Sequence, residues 1–261
     1  MSKREIKGSR IIVTGASSGI GRAVSLELAR EGAKLLVIAR RKERLVQLAE
    51  EAAAVNGRIE ILTGDITDAQ TRQKLLDTVQ ALYGGLDILI NNAGMGALGR
   101  FEDNDPARLR AVFELNFFAL AEMTRFALPM LKKGTNPILV NVGSILARRG
   151  VPCMSEYSAS KFAVQGLSEA IRAEFTRHGI DVLMVNPGTT ETEFFDGKYE
   201  VGVEPSWPRH KPTTAKRVAR EMVRAIRLGR HEIIPYTKGK ILCWLNRLSP
   251  SLMDAIMARY S

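Results

Sequence analysis

Cysteine is nearly absent from this chain: Cys153 and Cys243 are the only two in 261 residues. They form neither a disulfide framework nor a metal-ligand spacing, a usage that suits a reducing cytosol. Either could be a reactive thiol, although buried, inert sulfur is the simpler expectation. Histidine is as scarce. His178, His210 and His231 are scattered, so no metal site is assigned. No apolar run approaches the roughly 18 residues of a spanning helix. The first ten residues are polar and basic, with no apolar core of a secretory signal. The expected location is therefore cytoplasmic.

Acids are scarce in one region. From residue 209 to 261 twelve Lys and Arg face three acids, an excess of nine, whereas the whole chain carries +10. An anionic partner, lipid or nucleic acid, would account for this, and so would a solvated helix face with a basic tail. No nucleic-acid recognition motif accompanies the charge, which alone gives only salt-sensitive, non-specific binding. Nucleic acid is not an expected partner.

The apolar residues, with tyrosine, make up 45% of the chain, enough for one continuous core at this length. They fall into short runs at 10–14, 34–39, 59–63, 86–91, 137–142, 181–186 and 231–235, which read as buried strands. Helical periodicity occupies 19–30, 43–55, 69–83, 106–132, 156–178 and 214–228. This alternation predicts an α/β fold, a doubly wound parallel sheet with helices on both faces. No linker or repeat interrupts it, so residues 1–261 read as one domain.

Three local patterns carry chemistry. After the first strand comes Thr14-Gly15-Ala16-Ser17-Ser18-Gly19-Ile20-Gly21, a glycine turn opening a helix. Its N–H groups and positive dipole end suit a pyrophosphate. The second strand ends Ala39-Arg40-Arg41. Arg40 stands where an acid would bind an adenosine 2′-hydroxyl, and an arginine there favours a 2′-phosphate, hence NADP(H) over NAD(H). Arg40 could instead simply begin a basic helix. Tyr157 and Lys161 lie one helical turn apart on one face, with Ser144 upstream. A nearby ammonium favours phenolate, which would tune Tyr157 for proton transfer. Alone, such a pair is common on ordinary helices.

Taken together, these residues resemble the short-chain dehydrogenase/reductase family, across about residues 8–235. The resemblance rests on Thr14-Gly15-x3-Gly19-Ile20-Gly21, Asp65, Asn91-Asn92-Ala93-Gly94, Asn116, Ser144, Tyr157-x3-Lys161, and Pro187-Gly188 with Thr192. It implies a Rossmann-like fold and an oxidoreductase moving hydride between a nicotinamide and a carbonyl or secondary alcohol. Tyr157 would be the general acid/base. Lys161 would lower its pKa and bind the nicotinamide ribose, and Ser144 would hold the substrate oxygen. Asn116 would anchor a water linking Lys161 to a proton relay. Cofactor contacts would come from Gly15, Ser17, Ser18, Gly19, Ile20, Gly21 and Arg40. Asp65 and Ile66 would meet the adenine; Asn92, Ala93 and Gly94 would line its ribose. Pro187, Gly188, Thr190 and Thr192 would flank the nicotinamide. A homodimer or homotetramer is implied. An NAD-dependent alcohol or hydroxysteroid dehydrogenase is the alternative enzyme. A non-catalytic cofactor-sensing regulator is the alternative of another class, although such proteins commonly lose the tyrosine or lysine.

Residues 189–213 correspond to the family's variable substrate loop. Phe194, Phe195, Tyr199 and Trp207 could cover an apolar ligand or merely pack the loop. Cys153 and Met154 could border the same pocket. A hydrophobic substrate is expected. The extension 236–261 combines Ile241, Leu242, Trp244, Leu245, Leu248, Leu252, Met253, Ile256 and Met257 with Lys238, Lys240, Arg247 and Arg259. A lid or subunit contact is the favoured reading, with peripheral contact to an anionic membrane as the alternative.

Overall fold

Seven strands form one parallel sheet in a computed structural model that describes residues 4–195 and 211–260. The strands are β1 (Arg10–Thr14), β2 (Lys34–Ala39), β3 (Ile59–Thr63), β4 (Ile88–Asn91), β5 (Ile138–Val142), β6 (Asp181–Val185) and, after a small β7–β8 pair (Thr190–Glu191 and Thr213–Thr214), β9 (Glu232–Ile233). Their order is β3-β2-β1-β4-β5-β6-β9. The chain winds outward from β1 through β2 to β3, then returns to pair β4 with β1 and winds the other way. That reversal leaves a crevice beyond the strands' carboxyl ends, where ligands bind in such sheets.

Helices cover both faces because the strands are apolar on both sides. On one face α1 (Gly19–Arg30), α2 (Lys42–Ala53) and α7 (Ala215–Leu228) bury Val24, Leu28, Leu45, Leu48, Met222 and Ile226. On the other, α3 (Ala69–Tyr83), α5 (Ala119–Leu131) and α6 (Ser155–Phe175) bury Leu75, Val79, Met123, Ala127, Ile171 and Phe175. Local chemistry fixes the helix ends. Asp68 caps α3 by accepting from the Gln70 and Thr71 N–H groups, and Gly84 closes it at φ 73°.

The predicted alternation holds, with shorter ends. The strand expected over 86–91 starts at Ile88; just before it, the Asp87 carboxylate accepts from the Arg10 guanidinium and the Thr135 N–H. The predicted 231–235 strand contracts to Glu232–Ile233. The helix expected over 106–132 is α4 (Pro106–Phe113), a π-turn at Glu114–Phe118, then α5. The extension folds as α8 (Thr237–Leu248) and α9 (Pro250–Met257). No helix among the described residues is long and apolar enough to cross a membrane.

Candidate active site

The crevice is one cavity of about 1220 Å³ running from the glycine turn to Tyr157 and on to α8 and α9. Every predicted cofactor residue lines it except Gly21, and every predicted catalytic residue except Asn116. Gly21 is packed behind the turn, where a Cβ would fall 2.3 Å from Asn92 Nδ2.

At the nucleotide end, the turn is fastened to β4. Thr14 Oγ1 accepts from the Asn92 and Ala93 N–H groups at 3.0 Å, and Asn92 Nδ2 donates to the Thr14 and Gly15 carbonyls. Gly15 has φ 68°, and a Cβ there would come within 2.7 Å of Ala93 Cα, so glycine alone fits. Asp65 accepts from the Thr67 N–H and hydroxyl and lies 3.9 Å from Arg40. Arg40 itself is largely solvent-exposed. Arg41 is the residue that reaches the turn, donating to Ser18 Oγ at 2.7 Å and Ser17 Oγ at 3.1 Å. Its other amino group and Arg44 grip Glu193, holding that carboxyl below its ordinary range. The sequence expectation assigns the cofactor contact here to Arg40 and gives Arg41 no role. Its position beside Arg40, at the strand's carboxyl end, was the signal.

At the chemical end, α6 presents Tyr157 and Lys161 toward the carboxyl end of β5, where Ser144 sits. All three are buried. Ser144 is held by its own N–H donating to Asn186 Oδ1 at 3.1 Å, and its hydroxyl accepts from the Leu146 N–H. Asn186 Nδ2 in turn donates to Gln165 and Glu232. The sequence places Asn186 at the end of a strand, where a polar residue closing an apolar run is its only mark. Lys161 Nζ donates to the Val142 carbonyl at 3.1 Å and lies 5.7 Å from the Tyr157 ring centroid. Asn116, within the π-turn, does not touch Lys161. Its amide closes on the Met95 N–H and C=O and on Ser160 Oγ, at 2.8–3.0 Å. Asn116 and Lys161 converge instead on Gly94, whose Cβ would lie 3.1 Å and 3.6 Å from their polar atoms.

The expected depression of the Tyr157 pKa is not what these groups produce. Burial pushes Tyr157 up to about 12, partly offset by its hydrogen bond with Ser144. Burial likewise pushes Lys161 down to about 8. Desolvation outweighs the cation because the ammonium is turned to Val142 rather than to the phenol oxygen. At neutral pH the site therefore holds a protonated phenol beside an ammonium, the form that donates a proton to a carbonyl.

The cavity beyond Tyr157 is apolar. Phe194 meets the Tyr157 ring edge-on at 5.7 Å, and Leu98, Leu146, Val151 and Met154 join it. Cys153 does not line it; at φ 60° its carbonyl accepts instead from the Gly99 N–H. Cys243 is partly buried, which raises its thiol pKa and keeps it protonated. The Phe195 side chain, Tyr199 and Trp207 lie outside the described residues. Tyr236, not foreseen, packs on Gly188, where a Cβ would fall 2.2 Å from Tyr236 Cδ1. That contact carries the chain into α8 and α9, whose Leu242, Met253 and Met257 wall the cavity.

Residues 9–200 match the family model described as short chain dehydrogenase. The chain belongs to the short-chain dehydrogenase family. It is 30% identical over 259 residues to the ketoacyl reductase HetN of Nostoc, covering 96% of this chain and 88% of that one. It is 34% identical over 197 residues to 11-beta-hydroxysteroid dehydrogenase A of Sesamum indicum, covering 75% of this short-chain dehydrogenase but only 56% of the sesame protein. Among solved structures, a short chain dehydrogenase/reductase from Burkholderia phymatum in complex with NAD superimposes with a TM-score of 0.86. It is 23% identical over 96% of both chains, a likeness of fold alone. A short chain dehydrogenase from Burkholderia cenocepacia in complex with NADP gives 0.77 at 28% identity, over 88% of this chain and 97% of that one.

Proposed function

We propose that this short-chain dehydrogenase is an NADP(H)-dependent oxidoreductase acting on the carbonyl or secondary alcohol of a hydrophobic substrate. The observation that carries this reading is one continuous cavity with a glycine turn and two arginines at one end and buried Ser144, Tyr157 and Lys161 at its middle. The residues fit the cofactor: the turn has no room for a side chain at Gly15 or Gly21, and Arg40 and Arg41 stand at the end of β2. When bound, the nicotinamide supplies or accepts the hydride.

The chain's own part is binding and one proton. Arg40 and Arg41 would hold the 2′-phosphate. Asp65 and Ile66 would face the adenine, and Asn92 to Gly94 its ribose. Pro187, Gly188, Thr190 and Thr192 would flank the nicotinamide. Ser144 Oγ would hydrogen-bond the substrate oxygen, and Tyr157 would give its phenol proton to that oxygen during reduction. The phenolate left behind would be stabilised by the Lys161 ammonium. Asn116 would act by fixing the Met95 backbone beside them. The apolar lining supports a hydrophobic substrate, as does similarity to a relative named as a hydroxysteroid dehydrogenase.

The test is reduction of a panel of hydrophobic ketones and aldehydes, followed by NADPH absorbance. Tyr157→Phe should lower kcat by about a thousand-fold, in the range general acid–base catalysis supplies. Wild-type rates in that variant would refute the proton assignment. Preference for NADH would refute the assignment of Arg40 and Arg41.

A further inference from the structure

On α8 the residues Ile241, Trp244, Leu245 and Leu248 recur at i, i+3, i+4 and i+7, the spacing of a core-facing stripe. Here the stripe faces outward. Ile241 is 54% exposed, Trp244 61% and Leu248 62%, and Leu252 at the start of α9 extends the patch. At 3.6 residues per turn, Lys238 lies along one flank of the stripe and Lys240 and Arg247 along the other. α8 contains no acid. The one acid beyond residue 232, Asp254, is engaged by Arg149 at 2.7 Å.

We propose that α8 docks this protein on an anionic lipid surface. An apolar stripe carrying a tryptophan and edged by cations matches the bilayer interface, where acyl chains meet negative headgroups. A second copy of the chain fits the patch poorly. A two-fold contact through the stripe would bring the flanking cations of one copy up against those of the other. The stripe also shares a wall with the active-site cavity, because Ile241 and Leu245 line that cavity while remaining exposed. Docking through α8 would therefore bring the cavity rim to the lipid, an entry suited to a substrate dissolved in the bilayer. Only that last step rests on the proposed oxidoreductase function; docking does not.

The experiment is cosedimentation of the full chain, without substrate, with phosphatidylcholine vesicles containing or lacking phosphatidylserine. Wild type should pellet with the phosphatidylserine vesicles and be released by salt. Each surface cation is worth about five-fold in affinity, so Lys240→Ala/Arg247→Ala should weaken binding roughly twenty-five-fold. Trp244→Ser/Leu248→Ser should abolish it. All four side chains lie outside the catalytic residues, so both variants should keep the wild-type melting temperature. Carbonyl reduction, if present in wild type, should be unchanged toward a water-soluble ketone. The proposal is overturned if wild type stays in the supernatant with phosphatidylserine vesicles, if it binds neutral vesicles equally, or if both variants bind like wild type. It is equally overturned if Trp244→Ser/Leu248→Ser instead splits an oligomer in sedimentation velocity, which would make the stripe a subunit contact. Absence of turnover with normal vesicle binding would count against the oxidoreductase reading alone.

Discussion

Lys161 shows how a residue of the candidate site can oppose the fold that holds it. Its ammonium is buried and donates to the Val142 carbonyl, and burial pushes its pKa from 10.5 to about 8. For a base, a depressed folded-state pKa means that the fold favours the neutral amine. The associated stability is complete above pH 10.5 and is lost as pH falls through about 8. At neutral pH the protein therefore bears a cost of roughly 3 kcal/mol for keeping this charge inside. Lys161→Met, similar in length and uncharged, should abolish turnover yet raise the melting temperature at pH 7 by several degrees. The gain should shrink to nothing by pH 10.5. Thermal melts of both proteins across that range decide it, and a pH-independent difference would show that the buried charge carries no such cost. The motif that places Lys161 was legible in the sequence, because four-residue spacing alone puts it beside Tyr157. Arg41 and Asn186 were harder to see, since each acts through a contact made only on folding.

The elements that carry the site are joined by buried polar contacts that periodicity cannot reveal. Glu156, next to Tyr157 on α6, is buried and accepts from Arg108 Nε of α4 at 2.6 Å, while the same guanidinium donates to the Leu98 carbonyl. Both side chains are at least 95% buried, so neither has water as an alternative partner. Arg108→Met should strand the Glu156 carboxylate and cost about 3–5 kcal/mol, whereas adding Glu156→Met should restore most of that loss. Urea unfolding of the single and double variants would measure the difference. If the double variant were no more stable than Arg108→Met, the pair would not be acting as a compensated charge. The π-turn at Glu114–Phe118 was also hidden. It keeps the apolar spacing of one long helix over 106–132 and is marked only by buried Asn116, whose amide is bonded to the Met95 backbone and Ser160.

At the scale of the whole molecule, the alternation of strands and helices made the layered architecture legible, because strands buried on both faces are continuously apolar. The strand order was not written in any single segment. It follows from β4 pairing with β1 rather than β3, a contact between segments far apart in the sequence. What the sheet and its helices leave uncovered bears on assembly. Phe118, Phe126 and Phe162 are each nearly half exposed, on the π-turn, α5 and α6; the π-turn and α6 also carry Asn116 and Tyr157. Three phenylalanines exposed on these elements are suited to a subunit contact. The expected assembly is a homodimer or homotetramer built on α5 and α6. Phe126→Glu/Phe162→Glu should place like charges across such a two-fold contact and yield a smaller species in sedimentation velocity, with the fold retained by circular dichroism. Trp244→Ser/Leu248→Ser should leave the assembly unchanged, because its patch lies on a different element, α8. A sedimentation coefficient unaltered by the glutamates would remove α5 and α6 from the interface.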